Sequence, residues 1–110
     1  MPYLKTRRGM NWFFDSEGTG PTVVFLHGWG VDRRIWHQQV KYFSATHRVI
    51  AIDLPGHGAT HWQPLSFPEI VNGVVEILNH CGLSSFHLVA SSFGGLVALG
   101  VTAQEGARVQ

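Results

Sequence analysis

The segment Phe86-His87-Leu88-Val89-Ala90-Ser91-Ser92-Phe93-Gly94-Gly95-Leu96-Val97-Ala98-Leu99 places serines between a short apolar run and an apolar stretch of helical character. At a strand-to-helix turn a hydroxyl is lifted clear of its neighbours with a helix N-terminus behind it, which is how a nucleophile is presented. A tight turn of this kind crowds the positions two before and two after its centre. Centred on Ser92, those positions are Ala90 and Gly94, both small; centred on Ser91, they are Val89 and Phe93. The first register fits, so Ser92 is the candidate nucleophile. The competing reading is a serine that caps the following helix. Gly95 is expected to give that helix room against neighbouring strands.

Two further loops are rich in glycine and histidine. His27-Gly28-Trp29-Gly30 can turn backbone N–H groups toward an anion. If it lies beside the Ser92 turn, the amides of Trp29 and Phe93 form a two-donor oxyanion hole; otherwise it is a glycine turn with an aromatic plug. Asp53-Leu54-Pro55-Gly56-His57-Gly58 follows another apolar run, and Asp53 there is either turn-forming or loop-orienting. Neither G-x-G-x-x-G nor G-x-x-x-x-G-K-[ST] occurs, which removes the usual phosphate cradles. His57 and His61 are four apart, but Gly58 between them and Pro55-Gly56 before them oppose a helix offering both to a metal. No cofactor or metal is expected. All seven histidines precede Ser92 and none follows it. His27, His57 and His61 lie on or near these loops, yet none has an obvious carboxylate partner to make it the base.

The elements that must position these loops alternate. Tyr3 to Arg8 and Asn11 to Phe14 read as strands joined near Gly9, with residues 15–21 as a turn. Thr22 to Leu26 and Arg48 to Ile52 are continuous apolar runs of the kind buried on both faces of a parallel sheet. Residues 33–44 carry Ile35, Trp36, Val40 and Phe43 at helical spacing. Ser66-Phe67-Pro68-Glu69 reads as a capping box with proline in the first turn, opening a helix that Gly82 stops. Ser85 to Val89 reads as a strand, Phe93 to Gln104 as a helix ended by Gly106, and Arg108-Val109-Gln110 as the approach to another strand. The fold class is α/β, a doubly wound, mostly parallel sheet. All three glycine-containing loops then emerge at the carboxyl edge, where such sheets bind ligands.

Composition narrows the classes. The chain has 110 residues, 45% hydrophobic and 14% charged, with a formal net charge of +1. That describes one buried core and gives no electrostatic case for nucleic acid or an anionic membrane. Lys5, Arg7 and Arg8 read as a solvated face. Cys81 is the single cysteine, which excludes an intrachain disulfide and suits a reducing compartment. No signal peptide and no apolar run of membrane-spanning length is seen, so the expected location is cytoplasmic.

With these loops in hand, the chain resembles the α/β-hydrolase fold superfamily, in its small carboxylesterase and haloperoxidase-like branch, and is similar to pimeloyl-acyl-carrier-protein methyl esterases. The resemblance is carried by Phe25-Leu26-His27-Gly28-Trp29-Gly30, Asp53-Leu54-Pro55-Gly56-His57-Gly58 and Ser92-Phe93-Gly94-Gly95, in that order. It implies Ser92 as nucleophile, oxyanion-hole amides from Trp29 and Phe93, a small-molecule ester substrate and no cofactor. Ala90 stands where the family's elbow has its first glycine. Family members are much longer, and their acid and histidine follow the nucleophile; here Glu105 is the only carboxylate after Ser92. The resemblance therefore reads residues 1–110 as a partial α/β-hydrolase domain, the N-terminal portion, truncated after the nucleophile-elbow helix. The chain by itself is expected to have very weak esterase activity or none, and to self-associate through an open sheet edge at strand 85–89. Two alternatives stand beside this reading: a non-catalytic truncated paralogue or interaction module, and the same fold with thioesterase, perhydrolase or C–C hydrolase activity. Dehalogenase and epoxide-hydrolase chemistry fits less well, since those relatives place aspartate where Ser92 sits.

Overall fold

The computed structural model describes residues 2–110, whose strands are β1 (Tyr3–Lys5), β2 (Asn11–Glu17), β3 (Thr22–Leu26), β4 (Arg48–Ile52) and β5 (His87–Ala90). Between and after them run α1 (His37–Phe43, entered through a 3-10 turn at Arg33–Trp36), α2 (Phe67–His80) and α3 (Phe93–Glu105, leaving through a 3-10 turn at Gly106–Arg108). The sheet order is β1-β2-β4-β3-β5. Strands β4, β3 and β5 are parallel, while β1 and β2 extend the sheet in antiparallel fashion beyond β4.

Side-chain alternation explains why β3 and β4 are apolar throughout. Val24, Leu26, Ile50 and Ile52 face the larger core, where α2 and α3 contribute Ile70, Val74, Ile77, Leu78, Val97 and Val101. Val23, Phe25, Val49 and Ala51 face the other way and pack against Trp36, Val40 and Phe43. Both faces are covered, so neither can be polar. The α2 N-terminus forms the expected capping box: Glu69 N–H donates to Ser66 Oγ at 3.3 Å and Ser66 N–H to Glu69 Oε1 at 2.9 Å. Gly82, at φ +72°, ends it in the left-handed conformation.

This winding positions the site. Strand β3 delivers the chain to α1 on one face, whereas its neighbour β5 delivers it to α3 on the opposite face. Loops that leave adjacent parallel strands in opposite directions open a crevice at the carboxyl edge. The segments 27–30 and 91–95 both leave the sheet at this edge, from the adjacent strands β3 and β5.

Several boundaries differ from the sequence reading. Residues 15–17 are not part of a turn but continue β2, because Asp15, Ser16 and Glu17 pair with Ala51, Ile50 and Val49. Strand β1 stops at Lys5, where Thr6 N–H donates to the Met10 carbonyl and the chain turns back. The expected helix over 33–44 begins as a 3-10 turn, and β5 is displaced to 87–90. Gly95 is not the helix's contact glycine: a Cβ there would meet nothing within 4 Å. Gly94 and Gly100 make the close approaches instead, to the β3 terminus and to Val71 of α2 respectively.

Candidate active site

Ser92 sits between β5 and α3 at φ 53° and ψ −123°, the only non-glycine with positive φ among the described residues. An L-residue held there is strained by about 1–3 kcal/mol, and such strain persists only where surrounding structure enforces it. The enforcement is visible. Ser91 N–H continues the β3–β5 ladder by donating to the Leu26 carbonyl at 3.2 Å. Gly94 then passes so close to the ends of β3 that a Cβ would run into the carbonyl oxygens of His27 and Leu26. Ser92 is exposed, and although it occupies the N-cap position of α3, its side chain makes no capping bond. The hydroxyl is therefore not spent on the helix.

The 27–30 loop lies against this turn. A Cβ on Gly28 would sit 3.0 Å from Ser92 Cβ and 3.3 Å from the Ser91 carbonyl oxygen. The Trp29 indole is two-thirds exposed and meets the Phe93 ring edge-on at 5.3 Å between centroids. Phe93 N–H is one of the first-turn donors that a helix leaves without an internal partner. No loop hydrogen bond engages the Trp29 N–H. The Trp29 N–H, on the loop against this turn, and the Phe93 N–H, next to Ser92, are thus both uncommitted.

Histidines lace this loop to the one after β4. His27 is fully buried; its Nδ1 lies 2.7 Å from the Gly28 carbonyl oxygen and its Nε2 accepts from Leu54 N–H at 2.9 Å. A carbonyl only accepts, so Nδ1 carries the proton and the ring is neutral. Burial pushes its pKa below the usual histidine value. His57 repeats the pattern, with Nδ1 3.0 Å from the Pro55 carbonyl and Nε2 accepting from Gly30 N–H at 3.0 Å. The two rings stand 4.9 Å apart.

Asp53, fully buried at the end of β4, orients both loops. Its oxygens accept from Arg33 N–H at 2.8 Å and Ala59 N–H at 2.9 Å, and it is ion-paired with the Arg33 guanidinium. Arg33 also reaches Asp15 on β2 at 2.9 Å. Gly58 is pressed against this carboxylate so closely that any side chain would collide with it. Of the two sequence readings of Asp53, loop-orienting is the one observed. Sequence reasoning missed Arg33. The available signal was an aspartate between Ile52 and Leu54, which needs a cation if it is to be buried. Nearby, Arg34 binds the Asp32 carboxylate and holds its pKa down at about 2.

Beside the Trp29 indole an open cleft of about 680 Å³ is bounded by Val31, His57 and Trp62. A second cavity of about 390 Å³, between the β1–β2 turn and α2, takes no residue from any of the three loops. His61 makes no group with other ligating side chains, and among the described residues no cluster of three or more His, Cys, Asp or Glu could hold a metal. Cys81 is half-buried, and burial raises its thiol pKa. No helix of the described residues is long and apolar enough to cross a membrane.

Known proteins are similar to this chain in sequence and fold. A pimeloyl-[acyl-carrier protein] methyl ester esterase of Legionella pneumophila is 34% identical over 101 residues, covering 92% of this chain and 40% of its own. The (E)-2-((N-methylformamido)methylene)succinate hydrolase of Acinetobacter baylyi is 30% identical over 101 residues, covering 90% of this chain and 38% of its own. The solved structure of Est816, an N-acyl homoserine lactone degrading enzyme, superposes with a TM-score of 0.92 at 31% identity, over 98% of this chain and 42% of that one. The chain thus spans about two fifths of the length of the relatives it matches. The family model for the alpha/beta hydrolase fold matches residues 21–110, from the residue before β3 to the last residue, and the chain belongs to that family.

Proposed function

We propose that this chain carries the nucleophile and the oxyanion-binding half of a serine hydrolase acting on carboxylic esters. Ser92 Oγ attacks the ester carbonyl carbon. The N–H groups of Trp29 and Phe93 receive the carbonyl oxygen as negative charge develops on it. The tetrahedral intermediate collapses with cleavage of the bond between the carbonyl carbon and the alkoxide oxygen, the alcohol leaves with the proton that Ser92 gave up, and water hydrolyses the acyl-enzyme to release the acid and restore Ser92. The observation that carries this reading is the strained, exposed Ser92, whose side chain caps nothing. One relative supports the bond type, being a methyl ester esterase by name.

The serine proton needs an acceptor, and the nearby histidines do not offer one. Both ring nitrogens of His27 and of His57 are already hydrogen-bonded to backbone. In a serine protease, loss of one triad member lowers turnover by up to about 10⁶. The 110 residues by themselves should therefore hydrolyse a small aryl ester far below an ordinary enzyme rate of about 10 s⁻¹.

The test is covalent labelling. A fluorophosphonate incubated with the chain should give one slowly formed adduct at Ser92 by peptide mass spectrometry. The adduct should persist in Ser91→Ala and vanish in Ser92→Ala. Modification at Ser91, or none at either serine, would defeat the proposal.

A further inference from the structure

We infer that His57 is a positioning residue: its neutral ring, through Nε2, anchors the Gly30 amide and so holds the Trp29–Gly30 peptide beside Ser92. This rests on the hydrolase reading above and assigns a task to a histidine that the reaction itself leaves unused.

Three observations converge on it. First, the hydrogen bonds fix the tautomer. The Pro55 carbonyl beside Nδ1 only accepts, so that nitrogen holds the proton and Nε2 presents its lone pair to Gly30 N–H. Second, no other side chain hydrogen-bonds the backbone of Trp29 or Gly30 among the described residues. Gly30 stands at φ +83° with open space where a Cβ would be, so packing does not hold it either. Third, the ring is itself flanked by other rings. It stands between the His27 ring at 4.9 Å and the Trp29 indole, met edge-on at 4.9 Å, on a backbone bent by Gly56 and Gly58, both at positive φ.

The consequence for chemistry is direct. An oxyanion donor lowers a barrier only if it is held in place before charge develops. Peptide 29–30 follows the Trp29 N–H by one residue, and His57 fixes that peptide through the Gly30 N–H. His57 thus acts through Trp29 and takes no proton from Ser92, since neither of its nitrogens is available.

Two substitutions separate this task from simple aromatic packing. His57→Phe keeps a ring against Trp29 and His27 but has no acceptor. His57→Gln loses the ring but retains an oxygen able to accept from Gly30. Amide exchange at Gly30, read by NMR, and the rate of fluorophosphonate labelling at Ser92 are measured in the unsubstituted chain and both variants. Loss of the bond should speed Gly30 exchange and slow labelling, each by about tenfold, in His57→Phe. His57→Gln should remain within about threefold of the parent, as expected when one neutral acceptor replaces another. The opposite order, equal loss in both, or no change in either overturns the assignment. If a variant does not fold, the ¹⁵N shifts of His57 in the unsubstituted chain decide: a proton on Nε2 overturns the inference, and a bare Nε2 with a protonated Nδ1 sustains it. Should Ser92 fail to label in all three chains, the hydrolase reading fails, while exchange at Gly30 still reports whether His57 anchors the loop.

Discussion

A buried imidazole with both nitrogens bonded to backbone ties stability to acidity. His27 has its pKa lowered by burial from the ordinary 6.5, so the folded chain resists the proton that the unfolded chain accepts. The sign follows: below pH 6.5 the unfolded state binds more protons, so stability falls as pH drops toward the folded pKa. Above that value both states are neutral and this contribution is fully present. Thermal unfolding of the chain should show a midpoint that declines below about pH 6.5, with a shallower decline in His27→Gln. A midpoint unchanged between about pH 7.5 and 5 would contradict this assignment of the tautomer and burial. Single residues were unevenly legible in the sequence. Ser92 could be chosen over Ser91 because crowding at a tight turn is a local property of positions 90 and 94. Arg33 could not be paired with Asp53, because 20 residues, including α1 and β4, separate them.

At the scale of elements, the turn from β5 into α3 depends on one glycine and not on its neighbour. Gly94 faces the backbone at the end of β3, which cannot yield as a flexible side chain would. Gly94→Ala should therefore destabilise the chain by about 1–3 kcal/mol, the range for overpacking. Gly95 lies inside α3 with nothing near its missing Cβ, so Gly95→Ala should raise stability by about 0.5–1 kcal/mol. Denaturant midpoints of the two variants, compared with the parent, check both signs. Reading Gly95 as the packing glycine erred because both glycines are in the first turn of the helix, and only its rotation against β3 decides which one points inward. The α2 capping box was legible because its four residues carry the whole interaction. The extension of β2 to Glu17 was not, because Asp-Ser-Glu has no strand signature and is held extended by pairing with β4.

For the whole molecule, the exposed feature is the outer side of β5. Ser91 N–H points to β3, and Phe86, on the alternate phase, points outward to the Arg108 carbonyl and the Gln110 N–H, at 2.9 Å each. Backbone direction alternates along a strand, so Leu88 and Ala90 also point outward, and no strand among the described residues pairs there. Val89 is 38% exposed on the adjoining face. An apolar edge with free N–H and C=O groups recruits another chain. The chain should therefore associate with increasing concentration in sedimentation, and a charge at the edge in Val89→Lys should shift it toward monomer with an unchanged circular dichroism spectrum. A parent chain that stays monomeric at high concentration would refute this. The 3-10 turn after α3, which brings Val109 into a parallel bridge with Phe86, shows that the expected strand approach begins there.

What the sequence by itself determined was what short-range sterics and hydrogen bonding control. That includes the alternation of strands and helices, the three loops at one sheet edge, the centring of the tight turn on residue 92, and the family these imply. Tertiary structure alone decided which groups those loops present to one another. Parallel pairing of β3 with β4 and with β5 brings residues 27–33, 53–59 and 91–94 together. Only then does Asp53 find Arg33, His57 find Gly30, and Gly94 find the end of β3. No local pattern encodes these meetings, because their free energy comes from burying distant segments against each other.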